Sequence, residues 1–225
     1  MCGRYSLAAP DPDQLRKRFG ISVGESAPRY NIAPTQKILA VTAEREAQEL
    51  KWGLVPPFMK DASSGAKMIN ARAETVAEKP AYKSSIRRHR CLIPADGFYE
   101  WARRAEGPKQ PFHITVADAE LFAFAGIWAT WHRGQPDELR SVTIITTAAN
   151  AAMAPVHDRM PVILTPQQEE RWLDPATPVE ALGELMKGLP ADRLTLRPVS
   201  AAVNNARYDG PDCLADAPGG QNSLF

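Results

Sequence analysis

The chain opens Met-Cys-Gly-Arg. Cysteine is small, and an initiator methionine ahead of a small residue is commonly trimmed. Cys2 would then carry a free α-amine and a thiol on adjacent carbons. Their ordinary pKa values, about 7.7–8.0 and about 8.5, leave a useful minority of each nucleophilic near neutral pH without a large shift. A 1,2-aminothiol attacks one aldehyde carbon twice: the amine forms a Schiff base, then the thiol closes a thiazolidine ring. The second attack is intramolecular, where effective molarities reach about 10⁵–10⁸ M. The competing account is that Cys2 is an ordinary small residue near a chain end.

Three further segments carry chemistry-bearing side chains. Met68-Ile69-Asn70-Ala71-Arg72-Ala73-Glu74 is a polar run without a strong helix or turn signal. Gly97-Phe98-Tyr99-Glu100-Trp101 sets a carboxylate and an indole at the end of an apolar strand. Val156-His157-Asp158-Arg159-Met160-Pro161 places an imidazole, a carboxylate and a guanidinium in a loop before an expected strand, Val162–Leu164. Each alone has a plain account: an edge carboxylate, a loop histidine, a turn asparagine.

The elements that must position these groups are short and mostly strands. Lys37–Thr42, Glu49–Trp52, Cys91–Pro94, Phe98–Trp101, Pro111–Val116, Leu121–Trp128 and Ser141–Thr146 are rich in β-branched and aromatic residues and flanked by Gly and Pro. Helices are expected over Asp13–Phe19, Pro166–Leu173 and Pro178–Met186 from apolar spacing and prolines near their first turns. Strands outnumber helices, so a single α+β domain on a mostly antiparallel sheet is expected. It would span 1–214, and 215–225 would form a flexible Gly-containing tail.

Composition bounds the function. The 225 residues are 44% hydrophobic and 24% charged, a balance that excludes a disordered chain or a disulfide-dense mini-protein. Twenty-seven basic against 26 acidic residues leave +1, so any nucleic-acid affinity must come from a local cluster. The run Arg87-Arg88-His89-Arg90 reads as a solvated basic face rather than that cluster. Cys2, Cys91 and Cys213 make no CxxC pair, which argues for reduced thiols and against a zinc site. No apolar run is long enough for a membrane span and no signal-peptide core follows the start, so a cytoplasmic protein is expected, and single-domain size with near-neutral charge makes a monomer the expected state.

With Arg29-Tyr30-Asn31-Ile32-Ala33-Pro34 and Trp52-Gly53-Leu54-Val55-Pro56 added, the motifs resemble, in order and from Cys2 to about Asn205, the SRAP (SOS response-associated peptidase) family. Its members crosslink to abasic sites in single-stranded DNA. The resemblance implies an SRAP fold, a mostly antiparallel, barrel-like core with peripheral helices, and a thiazolidine between Cys2 and the ring-opened deoxyribose that shields the lesion during replication. It implies that Asn70 holds the amine or the sugar, that Glu100 opens the sugar by acid/base work, and that His157 moves protons at the Schiff-base stage. Arg4, Arg72 and Arg159 would grip phosphates, and Trp101 would stack on a base. Pro34 and the Pro56-Pro57-Phe58 loop would block continuous duplex, and Thr146 would lie beside the sugar phosphate. Many relatives have tryptophans where this chain has Pro57-Phe58. Neither a metal nor a cofactor is implied.

The terminal Gln221-Asn222-Ser223-Leu224-Phe225 looks like a bacterial sliding-clamp-binding peptide, with Leu224 and Phe225 for an apolar pocket and Gln221 for its rim. Two rivals stand beside the crosslinker. An N-terminal-nucleophile cysteine amidohydrolase or autopeptidase would use the amine as base and the thiol on an amide. A plain single-strand-binding module would do no covalent chemistry. Protease action on other proteins is not expected, since an ordinary aminopeptidase suffices to remove Met1.

Overall fold

The computed structural model describes residues 2–8, 11–25 and 27–218. In chain order the elements are β1 (Tyr5–Leu7), α1 (Pro12–Phe19), β2 (Arg29–Ile32), β3 (Lys37–Thr42), β4 (Ala47–Trp52), β5 (Asn70–Arg72), α2 (Pro80–Arg88) and β6 (Arg90–Ala95). They continue with β7 (Gly97–Ala102), β8 (Gln110–Val116), β9 (Phe122–Trp131), β10 (Leu139–Ala148), β11 (Arg159–Pro161) and β12 (Ile163–Leu164). The last are α3 (Pro166–Leu173), α4 (Leu182–Leu185) and β13 (Leu194–Pro198).

Strands β4, β3, β6, β9 and β10 close on themselves: β10 pairs antiparallel with β9 and parallel with β4, making a five-stranded barrel. Past the barrel, the end of β10 carries β5 in parallel on one edge and β11 antiparallel on the other, while β12 pairs with β9. The second sheet, in the order β13-β8-β7-β1-β2, is antiparallel throughout. Its inner face packs on the barrel through aromatic edges. The Tyr5 ring meets Trp52 at 5.5 Å and Phe124 at 5.7 Å, and Phe98 meets Phe124 at 6.1 Å. The chain is therefore a single α+β domain, mostly antiparallel, as its strand content indicates.

All seven expected strands form, several a few residues longer than expected, and the expected α3 boundaries are met. Its start is a full capping box, Thr165 with Gln168, with Pro166 at the first helical position. Helix α1 starts on Asp11 and ends at Gly20, whose φ of 70° closes the last turn, with Leu15 and Phe19 buried at i and i+4. Three expectations need correction. Pro178–Met186 is a 3-10 turn, Val179–Ala181, leading into the short α4. The strand expected at Val162–Leu164 is broken: β11 ends at Pro161 on β10 and β12 begins at Ile163 on β9. Arg90 is not part of a solvated face, although Arg87 and Arg88 are exposed. Its guanidinium is buried and donates to the carbonyls of Ile86, Trp172 and Asp174, satisfying orphan acceptors at the ends of α2 and α3.

At the C-terminal end, Ser200 N–H donates to the Ala215 carbonyl and Val199 bridges Asp216, so the ordered pairing runs two residues past the boundary read at 214. The clamp-like residues Gln221, Leu224 and Phe225 lie outside the described residues.

The second sheet explains one motif glycine. Tyr99 faces His113 across β7 and β8, and the tip of the His113 ring fills the space beside Gly97. A Cβ at Gly97 would stand 2.0 Å from His113 Nε2, and that ring is held by Ser6 Oγ at 2.9 Å. Gly97→Ala is expected to cost about 3 kcal/mol, the upper part of the overpacking range. Denaturant midpoints check it; a loss below about 1 kcal/mol would mean that the ring moves freely.

Candidate functional site

The site is assembled where the two sheets meet. Cys2 leads into β1 of the second sheet and is fully buried. Asn70 opens β5, held beside Ile144 on the barrel edge. Its Nδ2 donates to the Cys2 backbone carbonyl at 2.8 Å, so one hydrogen bond crosses from barrel to second sheet. The Asn70 Oδ1 is buried and has no hydrogen-bond partner among the described residues. A buried amide oxygen so placed is costly to leave unpaired, and it points to a donor supplied by the substrate or by a freed amine.

Why Asn70 sits there follows from the Trp52-Gly53-Leu54-Val55-Pro56 motif. Trp52 is buried and its indole N–H donates to the Ile69 carbonyl at 2.9 Å; Leu54 N–H donates to the Met68 carbonyl at 3.1 Å. Gly53 has φ 128°, and a Cβ there would strike the Gly65 carbonyl at 2.5 Å. This motif thus clamps the segment that ends in Asn70, a positioning role that the sequence did not reveal. The run 68–74, without an assigned element in the sequence, is a three-residue strand: Ala71 turns into the core, while Asn70 and Arg72 share the other face about 6.6 Å apart.

Glu100 reaches the site by strand alternation. On β7, Phe98 and Glu100 face the barrel, so the carboxyl is 4% exposed. Burial raises its pKa from 4.5 to about 7. Burial, and after it the Glu100 charge, pushes the Cys2 thiol far above its usual range. The expectation of a partly ionised resting thiol is therefore corrected: desolvation keeps it protonated, with Sγ 3.9 Å from the Arg4 carbonyl.

His157 precedes β11, its backbone N–H held by Met153 O. Burial lowers its pKa, so the ring is neutral at pH 7. Two groups compete for Nδ1: the Arg159 N–H at 3.0 Å, which must donate, and the Asp158 carboxylate at 2.8 Å, which must accept. The Arg159 amide is fixed by the strand, whereas the Asp158 side chain is 86% exposed and can turn to water. Nδ1 is then the acceptor and Nε2 carries the proton.

Beside this lies a second cluster. Thr146 pairs with Arg72 across β10 and β5 and with Pro161 across β10 and β11. Arg159 donates to the Thr146 carbonyl at 2.6 Å and grips Glu74 with both terminal nitrogens, at 2.6 and 2.9 Å. Arg72 is exposed. Sequence reading gave Glu74 no role; a lone carboxylate two residues after Arg72 was the available signal. Lys109 was missed as well. Its charge acts on both Glu100 and His157, but it sits in the β7–β8 connection where nothing in the sequence marks it.

The remaining residues named from the sequence make their side-chain contacts with other partners. Trp101 faces the opposite side of β7 from Glu100, and its indole donates to Asn204 at 2.6 Å. Arg4 lies 5.8 Å over that ring and donates through Nη1 to Asn31 at 2.9 Å and to the Val203 carbonyl at 2.7 Å. Asn31 is buried and donates to the Val203, Asn205 and Tyr208 carbonyls, strapping the 200–216 segment over the sheet. Pro34 stands in the β2–β3 turn, where Thr35 N–H donates to the Trp52 carbonyl. Phe58 is 62% exposed on a loop anchored by Trp131 Nε1 to the Met59 carbonyl. Among the described residues no group of histidine, cysteine and carboxylate side chains is arranged to hold a metal, and no helix is long and apolar enough to cross a membrane.

Comparison with known proteins agrees with this architecture. The chain is 41% identical over 222 residues to abasic site processing protein YoqW of Bacillus subtilis, covering 95% of this chain and 99% of that one. It is 42% identical over 224 residues to abasic site processing protein YoaM of the same organism, covering 95% and 97%. A crystal structure of a Bacteroides thetaiotaomicron protein superposes with a TM-score of 0.86 at 25% identity, covering 96% of this chain and all of that one. That of a phage-related protein from Bordetella bronchiseptica does so at 0.73 and 34% identity, covering 92% and 99%. The SOS response associated peptidase (SRAP) profile matches residues 1–206, and the chain belongs to that family.

Proposed function

We propose that this chain processes abasic sites in single-stranded DNA, capturing the lesion as a covalent thiazolidine through Cys2 after Met1 is removed. The observation that carries the reading is the buried meeting of three groups: the Cys2 backbone held by Asn70, with the Glu100 carboxyl close enough to act on the thiol. The relatives named for abasic site processing support the substrate.

The chemistry balances with these groups alone. An abasic sugar is mostly a hemiacetal, and Glu100, half protonated near pH 7, is matched to move the proton that opens it. The Cys2 amine adds to the aldehyde carbon, and the Asn70 Oδ1 is available to accept from that amine. The resulting carbinolamine loses water as the protonated Glu100 carboxyl delivers its proton to the departing oxygen, to which neutral His157 donates a hydrogen bond. The thiol then adds to the iminium carbon: the C–S bond forms and the S–H proton passes to the Glu100 carboxylate. The net change is aldehyde plus aminothiol to thiazolidine plus water. A thiol that stays protonated until this step suits a sequence in which the amine attacks first.

Arg72, on β5 with Asn70, and Arg159, on β11 across β10, are assigned the phosphates flanking the lesion. Exposed Phe58 and half-buried Pro34 are assigned the end of the adjoining duplex. Incubation with single-stranded oligonucleotides, abasic and intact, followed by a denaturing gel tests the reading. A band surviving only with the abasic strand is expected. Ammonia release from glutamine without such a band would instead favour the amidohydrolase. Asn70→Ala is expected to slow adduct formation about 30-fold, since it removes both the tether on Cys2 and the waiting acceptor, about 2 kcal/mol together. Single-turnover rates at saturating DNA check it; a change below twofold would remove Asn70 from the chemistry.

A further inference from the structure

We propose that Glu74 is a built-in phosphate surrogate: it occupies the guanidinium of Arg159, beside Arg72, until a DNA phosphodiester displaces it, and so sets the affinity and salt dependence of strand binding. The proposal rests on the assignment of Arg72 and Arg159 to phosphates.

The geometry is that of an anion site already filled. Both Glu74 oxygens lie on the Arg159 fork, at 2.6 and 2.9 Å, the arrangement that the same fork offers to two phosphate oxygens. The Arg72 charge also acts on this carboxyl, less strongly than the Arg159 contact. Glu74 covers the arginine rather than being covered by it: the Arg159 side chain is 13% exposed and that of Glu74 50%. Glu74 is held ionised, its pKa lowered mainly by the hydrogen bond from Arg159, so it competes with phosphate as a full charge across the neutral range.

Two details favour exchange over a permanent pair. The Arg159 Nε is buried without an acceptor among the described residues, so Glu74 does not satisfy the guanidinium it binds. And departure of Glu74 leaves Arg159 in place, because its Nη2 also donates to the Thr146 carbonyl at 2.6 Å. Glu74 itself stands in a run of turns after β5, whose anchor, Ala73 N–H to the Thr146 carbonyl, does not involve the carboxylate.

The test is noncovalent binding of an intact single-stranded oligonucleotide across a salt series, comparing the full chain with Glu74→Gln. The carboxamide keeps size and removes the competing charge. Affinity at low salt is expected to rise about fivefold, the scale of a partly exposed ion pair. The slope of log K against log salt should steepen by about 0.7, one further uncompensated phosphate contact on a single strand. Equal or weaker binding with an unchanged slope would overturn the proposal. Should Glu74→Gln fail to fold, Glu74→Ala, which also removes the competing charge, gives the same reading. Adduct formation by the parent chain on abasic DNA is scored separately. Its absence would strike the covalent chemistry, while the salt series on intact DNA judges Glu74 alone.

Discussion

Cys2→Ala is expected to abolish the denaturation-resistant adduct completely while leaving noncovalent binding to single-stranded DNA within about twofold. The thiol is the only group in the account that converts a reversible imine into a ring, and its removal takes nothing from the arginine cluster at Arg72 and Arg159. Cys2→Ser separates the two nucleophiles. Its amine still condenses with the aldehyde, but a hydroxyl is a far weaker trap, so an adduct is expected only when borohydride reduces the imine. Gels run with and without borohydride read this directly. A stable, unreduced adduct from Cys2→Ala would contradict the chemistry.

Glu100→Gln is expected to act in two opposite directions. Adduct formation should slow about a hundredfold or more, the usual contribution of a positioned acid/base group. The inflection near pH 7 in the parent's rate profile should disappear, because the group responsible no longer titrates. Stability should change the other way. Burial lifts this carboxyl from 4.5 to about 7, so between those values the folded chain holds a proton that the unfolded chain has released. The parent's stability from this group therefore falls as pH rises through that window and stays low above it. At about 1.4 kcal/mol per pKa unit, the glutamine variant should be more stable by about 3 kcal/mol at pH 8, with little difference at pH 4. Melting curves at both pH values, beside single-turnover rates, check the pair of effects. A variant that crosslinks at the parent rate would remove Glu100 from the mechanism.

What could be read from the sequence divides along physical lines. Strands such as Lys37–Thr42 declare themselves because β-branched and apolar residues fill them, and the barrel follows from enough of these in one chain. The short β1, β2 and β5 do not: three or four residues carry too little pattern, and their pairing is set by neighbours far along the chain. Helix α2 has only Tyr82, Ser85 and Ile86 on its buried face and a basic last turn, so it passes for a charged surface run. At the site, residue types single out Cys2, Asn70, Glu100 and His157 as candidates, but which strand face each takes is invisible in the sequence. Glu100 and Trp101 are adjacent in sequence and point to opposite sides of β7. Thiol acidity was misread for the same reason, since burial of residue 2 is a property of the assembled sheets. The role of Trp52 in fixing Asn70 depends on a contact across 17 residues that no local motif encodes.

The most direct test is the intact mass of the purified chain after mixing with a single-stranded abasic oligonucleotide, with and without borohydride. One product is expected, with the mass of the chain lacking Met1 plus the oligonucleotide minus one water, unchanged by borohydride because the linkage is a closed ring rather than an imine. A product that retains the initiator methionine, or that gains two hydrogens on reduction, would contradict it.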